Sequence, residues 1–341
     1  MLREGPPDPW EDGLSEAAPS VLSSRFALPT SYLILQPLKS TTLIYNPVAG
    51  RHPVRRQRQI SAAAEELRKA GVEVKLAATS GPGNARDLAR AAADDGAELV
   101  LVCGGDGTVN EAINGLVPGR ATLGILPGGT ANIIGKELRL PHHPVRAACA
   151  LPGWKPRRIA LGRATWLDAV TGQPTQRLFI SVAGVGFDAY IVHRLSWSLK
   201  MSWGVVGYGL EAVRQALRYP FPRFRFASDG QERQATFAVI HRTGHYAGWL
   251  PLAPTAGLFK PAFTACLFTS TNRARYFLYA AAVVLRQHLR LRGVELIECS
   301  KVDCAGEEPE RPIYFELDGE LVGQLPATFE IVPDALTILV P

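Results

Sequence analysis

From Val102 to Glu111 the chain reads Val-Cys-Gly-Gly-Asp-Gly-Thr-Val-Asn-Glu: an apolar run stops in a glycine loop holding one carboxylate, and a helical pattern follows. Such a loop can bind phosphate. Gly104, Gly105 and Gly107 allow backbone conformations and close ligand approach that a side chain forbids, and Thr108 can cap the helix behind them. An oligophosphate would meet unpaired backbone N–H groups at the positive end of that helix. One loop alone is as readily a strand-to-helix turn with a solvated Asp106. A second loop, Leu126-Pro127-Gly128-Gly129-Thr130-Ala131-Asn132, also stands between an apolar run (121–126) and a helix-like segment (133–138). In an open parallel sheet both would face one crevice outside the carboxyl ends of the strands. A third, Asn46-Pro47-Val48-Ala49-Gly50, follows the apolar run 42–45; by itself Asn46-Pro47 is an ordinary turn opener.

Near the other end, Leu317-Asp318-Gly319-Glu320 offers proton chemistry. Gly319 permits a tight turn that presents Asp318 and Glu320 at one spot, and their proximity would raise one pKa toward the range of a general base. Asp-Gly is equally a hairpin signal.

The elements that must position these residues fall into two regimes. From 42 to 140, short apolar runs (42–45, 72–78, 99–102, 122–126) alternate with helix-like stretches (54–70, 84–94, 108–116, 131–138), the pattern of β-α-β crossovers and a parallel sheet. The four prolines of Pro141 to Pro156 read as a linker. Beyond it, strand-like runs at 159–166, 177–182, 223–227, 235–241, 263–268, 294–299, 313–317 and 328–331 predict a β-sandwich, interrupted by helix-like stretches at 187–195 and 205–218. The fold expected is therefore α/β, a Rossmann-like nucleotide-binding domain over 41–145, then a β-sandwich domain over 146–341 whose C-terminal segment reaches the interdomain cleft. Residues 1–40, rich in Pro, Gly, Asp and Glu at their start, read as a disordered extension.

Composition agrees with this plan. The 341 residues suit about two domains. With 47% hydrophobic and 20% charged residues the chain is of globular type. No apolar stretch approaches the roughly 18 residues of a membrane span, and Met1 to Lys39 lack a secretory layout, so a cytoplasmic protein is expected. Five scattered cysteines without a C-x-x-C pair argue against a disulfide framework or zinc site. The net charge of +6 suits anionic membranes, nucleotides and nucleic acids alike. Arg51, His52, Arg55, Arg56 and Arg58 follow the first loop and would meet phosphate or solvate a helix start. Arg286, Arg290 and Arg292 flank the apolar stretch 276–289; a basic rim of this kind can rest on lipid headgroups, but the polar face of a core helix is the preferred reading.

In order and spacing, the three loops resemble the catalytic domain of the diacylglycerol kinase family, which includes sphingosine and ceramide kinases and bacterial lipid kinases. That family carries N-P-x-(S/A)-G, G-G-D-G-T-x-N-E and P-x-G-T-x-N loops. Ala183-Gly184-Val185-Gly186-Phe187-Asp188-Ala189 is similar to its fourth block, Asp318-Gly319-Glu320 to its late D-G-E block, and 326–336 to the ending of bacterial members. The resemblance spans about residues 40 to 341.

It implies an ATP- and Mg²⁺-dependent kinase acting on a lipid hydroxyl at a membrane surface, peripherally bound, with no nucleic-acid partner and with a homodimer allowed. On this reading Gly104, Gly105, Gly107 and Thr108 wrap the phosphates, with Glu111 closing the same block. Gly128, Gly129, Thr130 and Asn132 add donors, Asn46, Pro47 and Gly50 brace the far side, and Thr79 matches a nucleotide-contacting threonine of bacterial members. Asp106 would meet a nucleotide-borne Mg²⁺. Glu320 is the first choice for the base, Asp318 the second, and Asp188 is similar to an acidic residue that sphingosine kinases use on the lipid headgroup. Bacterial diacylglycerol kinases carry a structural Mg²⁺ after a P-x-A-x-L motif. Here Pro254-Thr255-Ala256-Gly257-Leu258 precedes Lys260 in place of a carboxylate, so that metal is expected to be absent. The alternatives are an NAD kinase-like phosphotransferase, which shares the G-G-D-G loop, and a non-catalytic lipid-binding protein of the same fold.

Overall fold

The computed structural model describes residues 40–49, 53–194, 214–215, 217–246, 250–308 and 310–341. The extension before residue 40, Gly50, Arg51, His52 and most of the 205–218 stretch lie outside them.

Four parallel strands come first among the described residues: β1 (Thr41–Tyr45), β2 (Val74–Ala78), β3 (Leu99–Gly104) and β4 (Thr122–Pro127), in the order β2-β1-β3-β4. Consecutive residues of β1 and β3 are buried, and successive strand residues point to opposite faces, so both faces of the sheet centre are covered. The covering crossovers include α1 (Pro53–Lys69), α2 (Asn84–Asp94) and α3 (Asp106–Leu116). Because β1 has β2 on one side and β3 on the other, the chain leaves it in one direction and returns in the other. A crevice therefore opens at the carboxyl ends of β1 and β3.

After α4 (Ile133–Glu137), the expected linker is instead a packed element. Pro144 takes the first position of α5 (Pro144–Ala150), His143 caps it by accepting from Val145 N, and Ala147, Ala148 and Leu151 are buried in the parallel-sheet core. Proline fits a first helical turn, where its missing N–H costs no bond.

The second half runs β5 (Lys155–Leu167), β6 (Pro174–Phe179), β7 (Val182–Gly186), α6 (Phe187–Arg194), β8 (Phe224–Ser228), β9 (Gln231–Ala235) and β10 (Phe237–His241). It continues with β11 (Phe263–Phe268), α7 (Arg273–Val284), β12 (Val294–Cys299), β13 (Lys301–Gly306), β14 (Tyr314–Leu317), β15 (Glu320–Gln324) and β16 (Ala327–Val340). One sandwich layer is the antiparallel sheet β12-β11-β10-β7-β14-β15. The other continues the parallel sheet, because the 14-residue β16 pairs antiparallel with β5 and β13 and parallel with β4 at Ile338. Phe179, Phe226 and Phe329 from one layer meet Phe263 and Phe315 from the other. An α/β unit with a parallel sheet followed by a β-sandwich is thus the fold, and its last strand ties the two.

The run 177–182 does not form one strand. It breaks between β6 and β7 because the N–H groups of Ile180, Ser181 and Val182 donate to the Asp318 carboxylate. No described helix is long and apolar enough to cross a membrane.

Candidate active site

The two glycine loops meet backbone to backbone. A methyl group on Gly129 would collide with Gly105 Cα, and one on Gly128 would lie 2.9 Å from Arg56 Nη1. Arg56 is buried; its Nε donates to Ala49 O at 3.2 Å and its Nη2 to Gly128 O, so one guanidinium binds the Asn46 loop to the Gly128 loop. Asn46 builds its own turn, its Oδ1 accepting from Val48 N, and its backbone N–H donates to Cys103 O at 3.1 Å. Asn132, at φ 49°, closes its loop likewise: Oδ1 accepts from Gly129 N and Nδ2 donates to Gly129 O. Its amide thus builds the loop instead of standing free as a donor. Thr130 is exposed.

Thr108 is not a cap. Helix α3 starts at Asp106 with Gly105 as its N-cap and no side-chain capping bond, and Thr108 packs over Gly104, where a methyl group would come within 2.6 Å of its Cβ. The first N–H groups of α3 have no carbonyl four residues back, an arrangement that suits an anion. Asp106 joins the loops: its Oδ1 accepts from Ile134 N at 3.3 Å. Burial raises its pKa, opposed by the N–H groups of Ile134 and Ile133. No group of three or more metal-ligating side chains occurs among the described residues. One carboxylate beside glycine loops suits a cation only if its remaining oxygens come from phosphate and water.

Glu111 points to a different task. Its Oε1 accepts from Gly83 N at 2.7 Å and its Oε2 from Ala85 N at 3.1 Å, so it caps the start of α2. A carboxylate there complements the helix dipole. Thr79, just after β2, is half-buried, its N–H bonded to Tyr45 O.

Asp318 and Gly319 are the two central residues of a hairpin joining β14 to β15, with φ of 51° and 85° and Leu317 paired to Glu320. Two positive φ values define the tight turn for which Asp-Gly is suited. The hairpin reading and the carboxylate-presenting reading therefore hold together. This turn lies against α3. A methyl group on Gly107 would be 3.1 Å from Glu320 Oε1. Glu320 Oε2 accepts from Arg177 Nη2 at 2.6 Å, and the same Nη2 donates to Asn110 Oδ1 at 3.1 Å. Asn110 Nδ2 donates to Asp318 Oδ2 at 2.6 Å.

The two hairpin carboxylates differ in kind. Asp318 accepts four hydrogen bonds, from Asn110 Nδ2 and from three backbone N–H groups at 2.8 to 2.9 Å. The residue as a whole is half-buried, but its carboxylate is enclosed, and burial pushes its pKa up to about 6 against those donors. Glu320 keeps 42% of its side chain exposed. A general base must reach a substrate proton. Glu320 is open to do so, whereas Asp318 is fixed in place.

Asp188, in the first turn of α6, is buried and its Oδ1 accepts from Tyr246 Oη. Beside it stands Glu316, which sequence reasoning missed. A methyl group on Gly184 would collide with Asp188 Oδ2 and lie 2.8 Å from Glu316 Oε1. Glu316 Oε2 accepts from Gly319 N at 2.5 Å. Burial, then the neighbouring Asp188, drives the Glu316 pKa well above the usual carboxylate range. Glu316 lies on β14 two residues before the Asp318 turn, close enough in sequence to the Asp-Gly block to have been read with it. Arg177 carried no such signal. Asn110 stood inside the glycine-loop block, on one helical face with Asn114, whose Nδ2 and Oδ1 clamp Leu178 O and N.

In the loop 254–260, Lys260 Nζ donates to Thr255 O at 2.6 Å. The buried Arg242 guanidinium donates to the carbonyls of Leu258, Lys260, Ala262 and Ala160.

Glycine loops at the switch point of a parallel sheet, faced by a carboxylate turn from a β-sandwich, are the plan of a phosphotransferase. Two family models match in tandem: the diacylglycerol kinase catalytic domain over residues 40–164, and the YegS C-terminal NAD kinase beta sandwich-like domain over residues 181–340. Diacylglycerol kinase of Bacillus subtilis (strain 168) is 27% identical over 297 residues, 86% of this chain and 93% of that protein. Diacylglycerol kinase of Staphylococcus carnosus (strain TM300) is 27% identical over 307 residues, 89% and 95% of the two chains. The crystal structure of a diacylglycerol kinase from Bacillus anthracis str. Sterne shares the fold, with a TM-score of 0.69 and 21% identity over 89% of this chain and 97% of that one. The chain belongs to the diacylglycerol kinase catalytic-domain family, and so is a lipid kinase, a phosphotransferase with an alcohol group as acceptor.

Proposed function

We propose that this protein transfers the γ-phosphate of ATP to the hydroxyl of a lipid, with diacylglycerol as the first candidate acceptor and a sphingoid or ceramide-type lipid as the next, in phospholipid metabolism at the cytoplasmic face of a membrane. The observation that carries this reading is the meeting of Glu320 with the first turn of α3 at Gly107. That the Bacillus subtilis and Staphylococcus carnosus relatives are diacylglycerol kinases supports the choice of diacylglycerol.

On this reading the backbone of Gly104 to Thr108 and of Gly128 to Asn132 holds the phosphates, with Asn46, Pro47, Gly50 and Thr79 bordering the nucleotide. Asp106 would hold the nucleotide's Mg²⁺ directly or through water; the ion supplies charge neutralisation on the phosphoryl oxygens. Glu320 accepts the proton of the lipid hydroxyl while Arg177 fixes its position. Asp318 anchors the hairpin to α3 and to the β6–β7 break. Asp188 and Glu316 line the sandwich side, where the lipid headgroup would enter beside α6.

Incubation with labelled ATP, Mg²⁺ and a panel of purified lipids, followed by mass spectrometry of the labelled product, tests the reading. A phosphorylated lipid, lost in Glu320→Gln, is expected. Label on NAD instead, or lipid binding without turnover, would overturn it.

A further inference from the structure

Helix α7 contradicts the expectation of a polar outer face. Its inner side, Tyr276, Tyr279, Ala282 and Val283, is buried, but its outward residues are apolar too. Phe277, Leu278, Val284 and Leu285 are exposed, Leu278 by 53% and Leu285 by 69%, and Leu289 in the following turn is exposed as well. The spacing 277, 278, 281, 284, 285 is one continuous helical stripe, completed by Ala281. Exposed large aliphatic side chains in a contiguous row mark an interaction surface.

Charge identifies the partner. From Ser270 to Gly293 the chain has five arginines and no Asp or Glu. Arg275 stands at one end of the stripe and Arg286, Arg290 and Arg292 at the other; all four are exposed. None of them is in an ion pair with a carboxylate among the described residues. A protein partner of the usual mixed charge has no use for so one-sided a rim. A bilayer bearing anionic phospholipid offers acyl chains to the stripe and phosphates to the guanidinium groups.

The inner side of α7 leads to the site. Tyr276 stacks on Phe221 with ring centroids 3.7 Å apart and meets Phe187 at 5.9 Å. Phe187 begins α6, and Asp188 follows it. One layer of aromatic rings therefore separates the outer stripe from the helix that carries Asp188, one of the two buried carboxyl groups.

We infer that the outer face of α7 docks the protein on anionic phospholipid bilayers, with the aliphatic stripe in the acyl boundary and the flanking arginines on headgroup phosphates. This deepens the lipid-kinase reading, which supplies the reason for docking, but its test is independent of turnover. The full-length protein is sedimented with vesicles of phosphatidylcholine alone and with vesicles containing about 30% phosphatidylglycerol. Wild type is expected to bind the anionic vesicles selectively and to lose binding as salt rises. Leu278→Glu/Leu285→Glu is expected to weaken that binding by at least about tenfold, and Arg286→Gln/Arg290→Gln by about fivefold per charge removed. The aliphatic double variant should phosphorylate a short-chain, water-soluble acceptor at the wild-type rate.

Wild-type binding indifferent to anionic lipid would overturn the docking proposal, as would unchanged binding in both variants. A variant whose light-scattering mass halves while vesicle binding persists would make the face a contact between two copies. Should wild type dock yet phosphorylate no lipid, the kinase reading fails and the docking surface stands.

Discussion

Asn110 Nδ2 donates to Asp318 Oδ2 at 2.6 Å, a bond from the helix behind the glycine loop to the carboxylate turn of the sandwich. Asn110 Oδ1 simultaneously accepts from Arg177, which holds Glu320. One amide therefore ties the helix behind the proposed phosphate site to the proposed base.

The two hairpin carboxylates should respond differently to neutral replacement. Glu320→Gln removes a base while keeping shape, and kcat is expected to fall about 10²–10⁴-fold with little change in Tm. Asp318→Asn puts an amide where four donors converge and should cost about 2–3 kcal/mol of stability. Steady-state rates and thermal melts on both variants check this. Equal stability losses in the two would contradict the division of roles.

Arg177→Met should leave the KM for ATP near wild type, since among the described residues its side-chain bonds go to Asn110 and Glu320 and not to a glycine loop, yet lower kcat. A reacting group displaced by about 1 Å loses on the order of 10²-fold in rate. Arg177→Lys should recover part of the rate, because both bonds come from one nitrogen and an ammonium can donate to two acceptors. A rise in KM alone would assign Arg177 to nucleotide binding instead.

Gly129→Ala drives a methyl group into Gly105 Cα, so the two loops must part. The expected cost is about 1–3 kcal/mol, with nucleotide binding weakened in the same variant. Gly81→Ala, where a methyl group meets nothing within 4 Å, is the control and should be silent. Isothermal titration with an ATP analogue reads both.

Glu316 gives a pH signature. Its folded-state pKa lies above the unfolded value, so the folded chain holds more protons across that window and stability falls as pH rises through it. Asp318, pushed up to about 6, has the same sign between its unfolded value and that pH. Glu316→Gln should therefore stabilise the protein more at pH about 8 than at pH about 5. Melts at the two pH values test this; a gain larger at the acid end would reverse the assignment.

The parallel sheet and its loops were legible because buried strands, glycine turns and helical stretches leave local patterns. The Asp318-Gly319 turn was legible twice, as hairpin and as carboxylate pair. What escaped depends on tertiary contact. The 177–182 run looks like one strand until the Asp318 carboxylate takes its N–H groups, and the proline-rich 141–156 stretch conceals α5 because Pro144 fits a first turn. Arg56 was legible as one of a basic run, yet only packing shows it bridging Ala49 and Gly128. The apolar outer face of α7 was misjudged because a stripe that is buried and one that meets lipid read alike in sequence.

A crystal structure with a non-hydrolysable ATP analogue and Mg²⁺ is the most direct test. The terminal phosphate should lie on the N–H groups at the start of α3, with a Glu320 oxygen within about 6 Å of its phosphorus, room for one lipid hydroxyl between them. A terminal phosphate seated away from residues 104–108, or more than about 10 Å from Glu320, beyond the reach of a base acting directly or through one water, would contradict the account.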